Sequence, residues 1–314
     1  MSAILTITFP IYAAIAIGYL VVFKGWFAPS AMKVLGSYVL NIALPALLFN
    51  AVASRDFAEV FDYGYILIFL IGSLTTLALS FLWFTFTSRD KLRRAVAVFG
   101  SGCPNSGFIG YPMMLLILPN EAGVILALNF LVENFFLIPI CLILLDLSQD
   151  TVETPIRRRL AELFWGILKR PMIIGLLLGV FVSVFQVPMP DAFTRLLQML
   201  SASASAVALV VIGGSLVGLP LKGNRAFASQ IAAAKLVLHP AVMGLVLLLF
   251  TGTGIVYLPA ELQVAVILSA AMPMFSIYPV LAQEYGQEGV ASIAMLVATA
   301  FAFLTLSGLL LWLT

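Results

Sequence analysis

The chain of 314 residues is 62% hydrophobic and only 10% charged, with a mean hydropathy of +1.13. Soluble domains are nearer half apolar and a quarter charged, and a water-soluble globule this apolar would expose large adhesive patches, which excludes a soluble enzyme or a nucleic-acid binder. The net charge of +2, from 16 basic and 14 acidic residues, implies no polyanionic partner.

A membrane-spanning helix needs about 20 predominantly apolar residues, and the chain offers ten such stretches. The first, 4–23, has no basic segment ahead of it and no A-x-A site after it, so it reads as a span and not as a cleaved signal. The second, 34–53, places Asn41 and Asn50 either side of Pro45, where they line a path on the scaffold side or glue helices together. The third covers 63–86. The fourth, 95–117, is crowded with glycine and proline, and the fifth, 122–145, carries Asn129, Glu133 and Asn134. The longest polar break follows, Leu147 to Arg170, with Asp150, Glu153 and the run Arg157-Arg158-Arg159. Its second part, Leu160 to Leu168, reads as an amphipathic helix lying at the interface.

The sixth stretch, 171–187, holds Gly175 and Gly179 in a GxxxG spacing that glycine-rich spans also produce by chance. The seventh, 195–219, holds the small-residue run Ser201 to Ala206 and Gly213-Gly214, which favour close helix approach. The eighth, 226–250, contains Lys235 and His239-Pro240; the ninth and tenth cover 262–283 and 289–312. The predicted fold is an all-α membrane protein of ten helices, divided into repeats 1–146 and 171–314 by a linker 147–170. With two cysteines and one histidine, no disulfide framework, HExxH or CxxC site can be built, and no metal or cofactor is expected.

Orientation follows from the basic residues. Thirteen of the sixteen (Lys24, Lys33, Arg89, Lys91, Arg93, Arg94, Arg157, Arg158, Arg159, Lys169, Arg170, Lys222 and Arg225) fall on one side. Arg55 and Arg195 fall on the other, and Lys235 lies inside a span. The positive-inside rule makes the rich side cytoplasmic, with loop 147–170 inside and both termini outside a plasma membrane.

A shift of 161 positions superposes Pro10 on Pro171, Gly18 on Gly179 and Pro29 on Pro190. Further on, Tyr111-Pro112 meets Tyr278-Pro279 and Gly123-Val124 meets Gly289-Val290 at nearly the same offset. Two homologous halves of five spans each must be inverted relative to one another, an architecture suited to alternating access.

The fourth span reads Gly100-Ser101-Gly102-Cys103-Pro104-Asn105-Ser106-Gly107-Phe108-Ile109-Gly110-Tyr111-Pro112. Its counterpart in the second half reads Met272-Pro273-Met274-Phe275-Ser276-Ile277-Tyr278-Pro279. Proline removes a helical hydrogen bond and clashes with the carbonyl four residues earlier. Irregular backbone at membrane depth persists only where protein buries it or a cavity is lined. Two breaks at corresponding positions point to a binding site, with two half-helix N-termini suited to a small anion such as a carboxylate. Asn105 and Ser106 add side-chain donors. No arginine falls inside a span, so the pattern predicts weak capture rather than a bidentate clamp.

Pro104 to Pro112 resembles the P-N-[TS]-x-x-x-G-x-P crossover of the auxin efflux carrier family, which includes plant PIN-type transporters and bacterial malonate or malate permease relatives. Asn41-Ile42-Ala43-Leu44-Pro45-Ala46-Leu47-Leu48-Phe49 and Ala282-Gln283-Glu284-Tyr285 add to the likeness, which covers nearly the whole chain. The resemblance implies a ten-helix fold of the bile-acid/arsenite/riboflavin transporter superfamily, related to sodium/proton antiporters. It also implies a scaffold of spans 1, 2, 6 and 7 that forms a homodimer, and a transport domain of spans 3–5 and 8–10 that moves as an elevator. The substrate is held at the crossover by Pro104, Asn105, Ser106, Pro112, Pro273, Met274, Ser276 and Pro279. The second crossover departs from the pattern in having Met274 after its proline and no asparagine. The short central loop departs from plant PIN proteins.

Three titratable groups lie deep in spans: Glu133, Lys235 and His239. A charge at mid-bilayer costs about 2.5–3.5 kcal/mol on insertion scales. Glu133, near Asn129, is the candidate to bind H⁺ or Na⁺ and couple it to substrate; otherwise it is a structural partner of Lys235. Lys235 pairs with Glu133, offsets substrate charge or snorkels, and His239 is the weakest candidate. The function predicted is a secondary transporter of a small organic anion. A channel or uncoupled uniporter is the alternative. An intramembrane enzyme lacks its nucleophile–base pair or Asp dyad.

Overall fold

The structure, a computed structural model, describes residues 2–55, 60–149 and 156–313. Asp150 and Glu153 lie outside the described residues, as do the side chains of Arg157 and Arg159. Among the described residues every regular element is a helix: α1 (Ser2–Phe23), α2 (Pro29–Ala53), α3 (Tyr63–Thr87), α4 (Lys91–Gly102), α5 (Ser106–Ile117), α6 (Ala122–Leu147), α7 (Ile156–Leu168), α8 (Pro171–Phe185), α9 (Asp191–Ser215), α10 (Arg225–Gly252), α11 (Ala260–Ala271), α12 (Tyr278–Gln283) and α13 (Glu288–Leu313). Six of these are long and apolar enough to cross a membrane, and a seventh crossing arises if the end of α7 and α8, bent by 67°, count as one span. The protein is therefore an all-α membrane protein.

The polar residues between spans are helix starts. Asp62, Asp90 and Asn224 accept hydrogen bonds from backbone N–H groups in the first turns of α3, α4 and α10, satisfying donors that the helix itself leaves free. Pro29 and Pro171 open α2 and α8, where a missing N–H costs nothing.

Proline also shapes the helix interiors. A turn wound one residue wider than an α-turn occurs at Val39–Ala43 in α2, Ser106–Gly110 in α5, Glu133–Leu137 in α6 and Ala234–Leu238 in α10. In each, the residue just before Pro45, Pro112, Pro139 or Pro240 donates to the carbonyl five positions back, for example Ile138 to Glu133. The wider turn makes room for a proline ring that would otherwise strike the carbonyl four residues earlier. Asn41, Ser106, Glu133 and Lys235 all lie in these turns.

Small residues set the helix pairs. α1 lies along α9, and α2 along α8. A Cβ on Gly18 would fall on the carbonyl oxygen of Val210, and one on Gly213 on that of Ile15. The Gly175–Gly179 spacing is a packing motif and not an accident of composition: a Cβ at Gly175 would lie 2.5 Å from the Pro45 oxygen, and one at Gly179 2.8 Å from that of Phe49. α3 packs on α4 and α10, and α10 on α13. α7 is amphipathic, with Phe164 and Trp165 exposed and Lys169 stacked over the Trp165 ring.

Candidate functional site

Proline and glycine break the expected fourth span between Gly102 and Ser106, and proline breaks the ninth between Ala271 and Tyr278. The two interruptions meet. Pro104 and Met274 form an antiparallel bridge, the Asn105 N–H donates to the Pro273 carbonyl at 2.9 Å, and the Phe275 N–H donates to the Cys103 carbonyl at 3.1 Å. One backbone N–H from each break is thus satisfied by a carbonyl of the other, as a low-dielectric interior favours. The Tyr278 hydroxyl, donating to the Val96 carbonyl at 2.9 Å, ties the start of α12 to α4.

Asn105 organises this junction. Its Nδ2 donates to the Ser276 hydroxyl at 2.7 Å, and its Oδ1 accepts from the Phe108 N–H at 3.2 Å, capping α5. The N–H groups of Ser106 and Gly107 have no partner among the described residues. The expectation of two opposed helix ends is only half met. α5 supplies a positive end, whereas α12 is six residues long and contributes little dipole.

Beside the junction is a cavity of about 260 Å³, walled by Asn41, Asn105, Ser106, Glu133, Asn134, Arg170 and Ser276 among apolar residues including Leu44, Phe108, Phe130, Met172 and Phe275. Its volume is below the roughly 300–1,000 Å³ of pockets for drug-sized ligands, so it suits a small molecule. Of the larger depressions, two, of about 860 and 880 Å³, run along α10 and are lined almost entirely by apolar side chains. They have no convergent polar groups.

The sequence-predicted residues divide accordingly. Asn41, Asn105, Ser106, Ser276 and Glu133 reach the cavity. Pro104, Pro273 and Met274 form its backbone frame, and Pro112 and Pro279 sit in the first turns of helical segments behind it. Asn50 is not in the wall; it accepts from the Ser54 hydroxyl. The Ser106 hydroxyl donates to a carboxylate oxygen of Glu133, and both residues are 2% exposed.

Lys235 does not pair with Glu133, nor does it snorkel; it is fully buried. Its Nζ lies 2.8 Å from His239 Nδ1 and donates to the Ala270 carbonyl at 2.6 Å, near the C-terminal end of α11, where a cation complements the helix dipole. His239 Nε2 lies 3.2 Å from the Ser73 hydroxyl. Asn129 belongs to a third cluster: the Tyr65 hydroxyl donates to its Oδ1 at 2.9 Å and its Nδ2 donates to Ser269 at 2.9 Å. Neither cluster reaches the cavity wall.

One wall residue was assigned by sequence only to the cytoplasmic face. Arg170, just ahead of α8, donates through Nη1 to Asn134 Oδ1 at 2.6 Å and is half-buried. No arginine lies inside a span, but a guanidinium is still present at the cavity: Arg170, outside every span, lines it where the chain bends between α7 and α8. Its position immediately before Pro171, at the foot of a span, was the available signal.

Residues 3–310 match the family described as membrane transport protein. The chain belongs to that family, the auxin efflux carriers. It is 31% identical to a protein of Rhizobium meliloti (strain 1021) named "Putative malonate transporter", over 99% of this chain and 96% of the relative. It is 26% identical to "Uncharacterized transporter YfdV" of Escherichia coli (strain K12), over 91% and 90% of the two chains. An "Uncharacterized transporter" of Methanothermobacter thermautotrophicus is 24% identical over 86% of this chain and 85% of its own. Relatives named as transporters fit a role other than catalysis.

Proposed function

We propose that the chain is a secondary carrier of a small carboxylate in the plasma membrane, and that the cavity at the meeting of the two helix breaks holds the substrate. The observation that carries this reading is the cavity itself: small, largely enclosed by protein, and furnished with amide, hydroxyl and guanidinium donors beside the N-terminus of α5. Such donors suit an anion, and a relative named as a malonate transporter agrees with that class.

The reading takes the helices as ten crossings in two inverted halves, with α4–α5 and α11–α12 as broken crossings. Reciprocity supports the repeat. Gly18 of α1 meets Val210 of α9, while its repeat mate Gly179 of α8 meets Phe49 of α2, so each half lends one helix to the other's partner. α1, α2, α8 and α9 then form the scaffold and dimer interface, and the remaining crossings form the elevator. Both termini face outward.

Glu133 is the coupling group in this proposal, because it is the carboxylate that shares the cavity with the anion. Lys235 and His239 serve instead to hold α10 against the end of α11. Transport without coupling is the second reading, and the pH experiment described below decides it. Carrier function itself is tested by counterflow in proteoliposomes, with malonate or propionate loaded inside. Trans-stimulated, saturable uptake of the labelled anion is expected. Flux that neither saturates nor responds to the trans substrate overturns the carrier reading in favour of a channel.

A further inference from the structure

We propose that Arg170 makes this cavity selective for a doubly charged carboxylate, by holding the second carboxylate while Asn105 and the backbone N–H groups of Ser106 and Gly107 at the start of α5 hold the first. The inference rests on the reading of the cavity as the anion site. A guanidinium has five N–H donors in a planar fork. One of them is engaged by Asn134 Oδ1, and Arg170 forms no ion pair among the described residues. Its positive charge thus borders the cavity without a fixed carboxylate partner, and Asn134 fixes its direction. Asn134 itself donates to the Phe130 carbonyl at 3.0 Å within α6, so the support of Arg170 is anchored in the wide turn that also presents Glu133.

The donors come from two segments of the chain: Asn105 and Ser106 from the break before α5, and Arg170 from the residue just before Pro171, and both segments line the one cavity. A monocarboxylate satisfies one set only. A short dicarboxylate satisfies both, and a cavity of about 260 Å³, worth about nine waters at roughly 30 Å³ each, leaves little room for a longer chain. Arg170 also borders a neighbouring depression of about 410 Å³ that contains Asp146, Glu162 and Glu284. If its task were to balance those acids, its removal would leave the choice between mono- and dicarboxylates unchanged.

Malonate and propionate, both three-carbon acids differing by one carboxylate, separate these cases. Affinities are measured on purified protein in detergent for wild type, Arg170→Gln and Arg170→Lys, with the ligand-free melting temperature of each as a folding control. Wild type is expected to bind malonate at least tenfold tighter than propionate. Arg170→Gln should weaken malonate roughly ten- to hundredfold, the range for a charge-assisted contact, and leave propionate within about twofold. Arg170→Lys, which keeps the charge without the fork, should retain part of the preference and decides the matter should the glutamine variant not fold. Equal losses for both anions, or unchanged malonate affinity, overturn the proposal. A wild type that binds both probes equally overturns this inference alone; one that binds neither overturns the carboxylate reading as well.

Discussion

Replacing Glu133 with glutamine is the most informative perturbation of the site, because it separates the shape of the carboxylate from its charge. The Ser106 hydroxyl donates to Glu133 Oε1, and an amide oxygen in the same place still accepts that bond. The charge is another matter. A sphere of the cavity's volume, about 260 Å³, is about 8 Å across, and two like unit charges at that separation repel by about 2 kcal/mol at an effective dielectric of about 20. That is roughly a thirtyfold loss of affinity. An ionised Glu133 therefore opposes the anion, and a protonated one does not, so wild-type affinity should rise as pH falls and each anion bound should bring in a proton. Glu133→Gln should hold the wild type's low-pH affinity at all pH values and bind about thirtyfold tighter than wild type at the alkaline end. Propionate binding measured between about pH 6 and 9, where a simple carboxylate stays ionised, tests this directly. If the variant keeps the wild-type pH slope, Glu133 is not the coupling group. If wild type itself shows no slope, transport is uncoupled or the coupling ion is sodium, and a sodium titration of the same binding curve tells the two apart.

Asn105→Ala should lower carboxylate affinity about fivefold, the worth of one net hydrogen bond near 1 kcal/mol. It should also cost about 1 kcal/mol of stability through loss of the α5 cap; binding isotherms and thermal melts read the two effects separately. Gly213→Leu should destabilise by about 1–3 kcal/mol or more, because a side chain there meets the Ile15 carbonyl of α1. Gly244→Ala, with nothing within 4 Å of the added atom, is the control and should melt near wild type. Lys235→Met should cost about 1–3 kcal/mol by stranding the Ala270 carbonyl and His239, while leaving carboxylate affinity unchanged. A selective loss of affinity in that variant would return Lys235 to the site.

The breaks at Pro104 and Pro273 were legible because proline and glycine act on the backbone locally, so a span interrupted twice in thirteen residues declares itself. That the two breaks bond to each other, Asn105 to Pro273 and Phe275 to Cys103, was legible only as likelihood of a shared site, since pairing between distant segments leaves no mark on either one. The sequence also carries a finer local signal. Asn41, Ser106, Glu133 and Lys235 stand four to six residues ahead of Pro45, Pro112, Pro139 and Pro240, and each lies in a widened turn. A polar residue at that distance before a proline inside an apolar run marks a place where the helix opens and a side chain is re-aimed. What the spacing does not encode is which cluster each residue joins. Glu133 and Asn129 are one turn apart on α6, yet Glu133 faces the cavity and Asn129 faces Tyr65 and Ser269.

Arg170 shows why a count of charges by topology misassigns a site. The positive-inside rule weighs basic residues near span ends, and it treats them as interchangeable. But a long side chain at the foot of a span can turn inward, and the direction depends on what lies across from it. Here Asn134, in the wide turn ahead of Pro139, supplies an acceptor at 2.6 Å, and Arg170 stands where the chain bends by 67° between the end of α7 and α8. Lys169, one residue earlier, takes the opposite course over the exposed Trp165 ring. Adjacent cations at one membrane boundary thus serve different ends, and the cavity draws its fixed positive charge from a residue that never enters the apolar core. That solution avoids the cost of a mid-bilayer arginine while giving the proposed anion site a full charge.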